Sequence, residues 1–270
     1  LADDEFMVIG SGMAERYHQR FWNMVPMPEG VSFESLTETM CGFNVAGPKS
    51  RELLQRLTNT SLAAADFPFM RSQWIELAGV DCLALRVSFT GDLGWELHCS
   101  TEDQLRLYQA LLDAGKTFSA GPVGGRALMS LRVEKGYGSW SREYSPEYWP
   151  HEVGLERLIA NKPNFINKNE VESVLALPAR EKLVVLKLNE ADVMKSNADA
   201  LGGEPIFKDG NGIGRVTSGG YGYSVNMSLA LGFVKGIESG EEVDVMVLGK
   251  PHKATVLSEP PFDPESSILR

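Results

Sequence analysis

The segment Ser88-Phe-Thr-Gly-Asp-Leu-Gly-Trp-Glu-Leu97 sets one carboxylate, Glu96, beside one large aromatic, Trp95, just after a pair of glycines, Gly91 and Gly94. The glycines supply a tight turn with freedom for positive φ. The flanks, Leu83–Phe89 and Trp95–His98, read as strands. Alternation sends Trp95 and Glu96 to opposite faces, so the aromatic packs while the carboxylate meets solvent or ligand. A carboxylate held there can accept paired N–H donors from a flat heterocycle such as a pterin. Taken alone, the same residues describe an ordinary hairpin with an exposed glutamate.

Other catalytic signatures are missing. His18, His98, His151 and His252 are scattered and show no metal-ligand spacing. No Gly-x-Ser-x-Gly elbow or P-loop occurs. Gly10-Ser-Gly12 lies between an expected strand and helix like a dinucleotide turn, but Glu15 takes the place of the third glycine. The chain therefore carries no flavin or nicotinamide fingerprint. Cys41, Cys82 and Cys99 form no Cys-x-x-Cys, which argues against a zinc site or a disulfide framework and suits reduced thiols in a cytosol or mitochondrial matrix. A formal charge of −10 with no basic stripe argues against nucleic acid as the main partner. No apolar run approaches the length of a membrane span.

The elements that must position Glu96 read as α+β, followed by an all-β region. A strand is expected over Phe6–Ile9, a helix over Met13–Trp22, a strand over Gly42–Ala46 and a helix opening at Gly47-Pro48, with Leu53, Leu54 and Leu57 inward. Strands follow over Trp74–Leu77 and Cys82–Phe89. Thr101-Glu-Asp-Gln104 reads as a capping box for a helix that points Leu105, Tyr108, Leu111 and Leu112 inward and ends at Gly115. A further helix spans Gly125–Glu134 and stops at Gly136. Pro178-Ala-Arg-Glu181 reads as a linker. Beyond it, short strands at Leu183–Leu188, Ile213–Ser218, Leu229–Val234, Val243–Leu248 and Lys253–Ser258, with turns at 208–212 and 219–222, predict a small barrel or sandwich. At 270 residues the chain has room for two domains, taken as residues 1–177 and 178–270. The abrupt start, a turn and then a core strand, leads to the expectation that the first domain is N-terminally incomplete.

Six segments in order carry a resemblance to a known family: Gly47–Leu54, Phe67-Pro-Phe69, Ser88–Leu97, Ser130-Leu-Arg-Val-Glu-Lys-Gly136, Gly214-Arg-Val-Thr-Ser-Gly219 and Pro261-Phe-Asp-Pro264. Together they resemble the aminomethyltransferase (glycine-cleavage T-protein) family, over almost the whole chain. Gly94-Trp-Glu96, Val133-Glu-Lys-Gly-Tyr137 and Asp263-Pro264 are most similar to the folate-binding C-terminal region of dimethylglycine and sarcosine dehydrogenases.

The resemblance implies a cloverleaf of subdomains ending in a β-barrel, with tetrahydrofolate as the cofactor. It implies one-carbon transfer, forming 5,10-methylenetetrahydrofolate from the imine or formaldehyde of an N-methyl amine. FAD is expected only in a separate upstream domain or subunit. Residue by residue, Glu96 matches the family glutamate that holds the pterin, and Phe89 falls where many members have a tyrosine. Phenylalanine keeps the stacking surface there and loses the hydroxyl. Arg132 matches a folate-contacting arginine, its fork suited to a carbonyl or carboxylate; without the family it reads as a helix-surface arginine paired with Glu134 or another carboxylate. Tyr137 and Trp140 are candidates to line the cavity or to pack. The family's catalytic aspartate would precede Leu1, and Asp3 and Asp4 do not match its motif, so residues 1–270 alone are expected to be inactive. Ser145–Glu152 follows the family only loosely, although Glu152-Val-Gly-Leu155 remains. The alternative reading is a non-catalytic regulatory or scaffold relative, and a third is a methyltransferase of the same fold.

Overall fold

The protein is described from a computed structural model over residues 1–159 and 164–270. By compactness the chain forms two units: Leu1–Val123 with Ser266–Arg270, and Gly124–Glu265.

The first unit begins with irregular chain. No strand forms over Phe6–Ile9; Phe6, Val8 and Ile9 are exposed. An apolar run without a neighbouring strand has no ladder to join, and the expected strand fails for that reason. Helix α1 (Glu15–Met24) follows, then strand β1 (Met40–Ala46), helix α2 (Ser50–Gln55), and strands β2 (Ser72–Leu77), β3 (Val80–Leu85) and β4 (Gly94–Ser100). The strands form an antiparallel sheet in the order β1-β4-β3-β2. Helix α3 (Gln104–Gly115) returns across it. Leu53 and Leu54 of α2 and Leu107 and Leu111 of α3 pack with Trp95, Leu97, Ala84, Ile75 and Leu77 of the sheet in one apolar core.

Two details of α3 differ from expectation. Ser100, not Thr101, is the capping residue, and by accepting from the Glu102 N–H at 3.3 Å it caps the 3₁₀ turn that leads into the helix. A 3₁₀ turn at Thr101–Asp103 rotates the inward stripe, so Leu107 and Leu111 are buried whereas Leu105 is exposed. Gly115 does not take a left-handed C′ conformation; it continues into a 3₁₀ turn, and Ser119 is the left-handed residue.

The second unit opens with α4 (Gly125–Glu134), which stops at Gly136 with φ +70° as expected. Helix α5 (Lys168–Leu175) precedes a closed antiparallel barrel. Its strands are β5 (Lys182–Leu188), β6 (Pro205–Lys208), β7 (Asn211–Gly222), β8 (Met227–Val234), β9 (Glu242–Val247) and β10 (Lys250–Val256), with helix α6 (Glu190–Ser196) between the first two. Around the barrel the order is β10-β5-β8-β7-β6-β9. Closure leaves no unpaired edge. Alternate residues Leu186 and Leu188, Val243, Val245 and Val247, and Ala254 and Val256 fill the interior. Residues 219–222, expected to be a turn, lie inside β7.

Candidate functional site

Glu96 lies in the middle of β4, between Asn44 of β1 and Leu85 of β3, so its backbone is fixed by ladders on both sides. Trp95 and Leu97 point into the core, while Glu96 and His98 share the opposite face. The Glu96 side chain is 26% exposed, and its Oε2 lies 3.7 Å from His98 Nε2. It accepts no hydrogen bond among the described residues, so both oxygens remain available to N–H donors. His98 was not singled out from sequence, yet its position two residues beyond Glu96 on a strand was sufficient to place it on the same face.

The turn before Glu96 is held from three directions. The Gly47 N–H and the Ser50 hydroxyl both donate to the Leu93 carbonyl, at 2.8 and 2.9 Å. Arg86 Nη1 donates to the Gly94 carbonyl at 3.2 Å. Gly91 has φ +83°, and a Cβ at Gly94 would lie 3.0 Å from Ser88 Cβ and 3.2 Å from Ala46 Cβ, so this close approach suits glycine. Within the turn Thr90 donates to Asp92 at 3.3 Å, and burial pushes the Asp92 carboxyl upward. The guanidinium carbons of Arg86 and Arg51 lie 4.6 and 5.3 Å from the Trp95 ring centre. Arg86 is fully buried, and burial together with the nearby Arg51 charge lowers it to about 10. Arg86 thus fixes both the turn and the aromatic beneath Glu96, a role that sequence reading missed because an arginine at a strand end looks like a surface charge. Phe89, half-buried, lies in the loop leaving β3, in the same unit as Glu96.

Arg132 and Tyr137 belong to the second unit. Arg132 is fully buried, not on a helix surface, and the carboxylate it pairs with is Glu143, the neighbouring Glu134 being engaged elsewhere. Arg132 Nη1 donates to Glu143 Oε2 and to the Tyr137 carbonyl, both at 2.9 Å, and Nη2 donates to the Ser218 hydroxyl at 2.5 Å. The Tyr137 N–H returns a bond to the Arg132 carbonyl at 2.9 Å. Only Nε of Arg132 lacks a partner among the described residues. Glu143 also accepts from the Ser139 N–H at 2.9 Å and from Thr217 Oγ1 at 2.6 Å. Burial raises its pKa, but the Ser218 and Thr217 hydroxyls and the Arg132 charge outweigh that and hold it below the usual carboxylate range.

Motifs separated in sequence meet in this unit. Lys135 forms an ion pair with Asp263 at 3.5 Å, and the Glu134 carbonyl accepts from the Phe262 N–H at 3.1 Å. Glu152 receives a forked pair from Arg180, Nε to Oε1 and Nη2 to Oε2, each 2.7 Å, which ties the expected linker down. The hydrogen bonds from Arg180 draw the Glu152 carboxyl down to about 2. Among the described residues no group of histidine, cysteine and carboxylate side chains could hold a metal ion, and no helix is long and apolar enough to cross a membrane.

Comparisons with known proteins agree with this picture. Residues 1–162 match the GCVT N-terminal domain, and residues 182–263 match the glycine cleavage T-protein C-terminal barrel domain. The chain is 34% identical over 263 residues to mitochondrial dimethylglycine dehydrogenase of Homo sapiens, covering 95% of this chain and 30% of that protein. It is 31% identical over 246 residues to mitochondrial sarcosine dehydrogenase of Mus musculus, covering 87% of this chain and 26% of that one. Aminomethyltransferase of Desulforamulus reducens is 27% identical over 266 residues, covering 96% of this chain and 70% of the enzyme. The chain thus spans under a third of the dehydrogenases it matches. The crystal structure of glycine cleavage system aminomethyltransferase T from Bartonella henselae superposes with a TM-score of 0.72 at 24% identity, over 83% of this chain and 60% of that one, which establishes a common fold. The matched domains, the closed barrel and the ordered motifs make this chain a member of the glycine cleavage T-protein (aminomethyltransferase) family.

Proposed function

We propose that this chain is the tetrahydrofolate-binding, one-carbon-transfer part of a flavin-dependent N-methyl amine dehydrogenase. Its product would be 5,10-methylenetetrahydrofolate. The observation that carries the reading is Glu96: a partly exposed carboxylate, fixed between two strands, with both oxygens open to N–H donors. That pair of acceptor oxygens fits the amino and ring N–H donors of a reduced pterin. Phe89 offers an apolar surface in the same unit, and His98 Nε2 stands 3.7 Å from the carboxylate on the same face.

For Arg132 and Tyr137 the reading rests on the family. Arg132 is fully buried with its Nη nitrogens bracing its own unit, and its Nε, also buried, has no partner among the described residues. When bound, tetrahydrofolate supplies the nucleophilic amines that take up the one-carbon unit, and holding it near its source raises the effective concentration of the acceptor. The flavin belongs to another domain or subunit, in agreement with relatives that are much longer than this chain. The division into residues 1–177 and 178–270 follows the gap between the two family matches, which end at 162 and begin at 182, whereas by compactness residues 124–177 group with the barrel. A cytoplasmic or mitochondrial-matrix setting suits three free thiols.

The test is formation of 5,10-methylenetetrahydrofolate from an N-methyl amine and tetrahydrofolate by the chain joined to a flavin-bearing partner, corrected for spontaneous condensation with formaldehyde. Product above that background supports transfer. Folate binding without product, under conditions where the flavin is reduced, would favour the non-catalytic relative.

A further inference from the structure

The three cysteines, unpatterned in sequence, form a row in the fold. Cys41 of β1 sits directly opposite Cys99 of β4. The β3–β4 register, which pairs Leu83 with His98, continues to place Cys82 beside Cys99. All three side chains face the core, Cys82 and Cys99 buried and Cys41 at the partly exposed end of the row, on the edge strand. The Sγ atoms of Cys41 and Cys99 are 3.6 Å apart.

We propose that Cys41 and Cys99 are an oxidation site, a dithiol that closes to a disulfide when a small hydroperoxide reaches the sheet edge. Directly opposed residues of an antiparallel pair have Cα atoms about 4.5–5.5 Å apart, within the span of about 4.4–6.8 Å that a disulfide bridges. Closing the sulfurs to about 2.0 Å needs side-chain rotation and a small local adjustment.

The exposed end of the row sets the order of events. Cys41 attacks the hydroperoxide, its sulfur takes the distal oxygen, and an alcohol or water leaves, giving a sulfenic acid. Cys99 then attacks that sulfur. The S–S bond forms, the S–O bond breaks, and the Cys99 proton leaves with the hydroxide as water. Two thiols lose two electrons and two protons in total, and the hydroperoxide is the oxidant reduced. Burial pushes both Cys99 and Cys82 up to about 12, so those thiols stay protonated at neutral pH and are poor first targets for the oxidant. Cys82 lies on the inner side of Cys99, away from the edge. The bond would staple edge strand β1 to β4, the strand whose other face carries Glu96.

The test uses the reduced 270-residue chain, freed of reductant and titrated with hydrogen peroxide, then read by intact mass and by peptide mapping without reduction. The expected result is loss of two hydrogens and a linked peptide pair holding Cys41 and Cys99, reversed by dithiothreitol. The linked pair should vanish in Cys41→Ser, a change at a partly exposed position, and persist in Cys82→Ser. Mapping of the unmutated chain decides by itself if the buried Cys82 variant does not fold. Oxidation that halts at sulfenic or sulfinic acid, thiols that stay intact, or a bond that involves Cys82 would each overturn the proposal.

Discussion

Removing the Glu143 carboxylate should cost the second unit more than any surface change in it. The side chain is fully buried and receives Arg132 Nη1 at 2.9 Å, the Ser139 N–H at 2.9 Å and Thr217 Oγ1 at 2.6 Å. Glu143→Ala leaves a guanidinium that is itself fully buried without its counter-charge, and strands two neutral donors. Breaking such a pair from one side costs about 3–5 kcal/mol. Glu143→Gln keeps an acceptor and loses the charge, so it should cost less, about 1.5–3 kcal/mol. Arg132→Met alone buries an unpaired carboxylate, whereas Arg132→Met with Glu143→Leu removes both charges and should recover much of the loss, a coupling of the kind that double-mutant cycles measure. The assay is urea unfolding followed by circular dichroism and tryptophan fluorescence. With an m-value of about 2–3 kcal/mol per molar, Glu143→Ala should lower the midpoint by about 1–2.5 M. A midpoint within about 0.3 M of the parent, an energy of under about 1 kcal/mol, would refute the argument. So would a double variant as unstable as the sum of its parts.

Glu152 should give the acid limb of stability. Its pKa falls from 4.5 to about 2 on folding, so its contribution is present above the unfolded value and is lost as pH falls from about 4.5 towards about 2; Glu152→Gln should flatten that part of a melting-temperature profile against pH. Gly214→Ala should disrupt the barrel, because the new Cβ would lie 1.9 Å from the Phe233 carbonyl oxygen, while Gly212→Ala should be tolerated, its nearest neighbour being Phe207 Cε1 at 3.7 Å. Overpacking of that kind costs about 1–3 kcal/mol or more, measurable in the same unfolding assay.

What the sequence revealed depended on whether a signal was local. The β4 strand, the α4 helix with its Gly136 stop, and the longer barrel strands all carry their own periodicity and breakers, and all form. Strand β6 escaped notice because Pro205–Lys208 is short and begins with proline; it is a strand only because β7 and β9 flank it. Gly219 looked like a turn residue, but it serves close packing: a Cβ there would lie 2.3 Å from the Ala200 carbonyl oxygen. Phe6–Ile9 had a strand's composition and, among the described residues, no strand to pair with. For the site, the two faces of β4 were legible by alternation, and so Glu96 and Trp95 were placed correctly on opposite sides. The partners of Arg132 were not legible, since Glu143 and Ser218 are brought to it by tertiary folding, and the nearer Glu134 instead accepts from the Ser224 N–H at 3.2 Å.

The central claim, that Glu96 anchors a reduced pterin, is tested most directly by calorimetric titration of the folded chain with tetrahydrofolate under anaerobic conditions, beside Glu96→Ala. Hydrogen bonds to a charged group contribute about 1.5–3 kcal/mol, so the variant should bind about 10–150-fold more weakly while its unfolding midpoint stays that of the parent. Equal affinity in the two proteins would contradict the role given to Glu96, and no measurable binding by the unmutated chain would contradict the account itself.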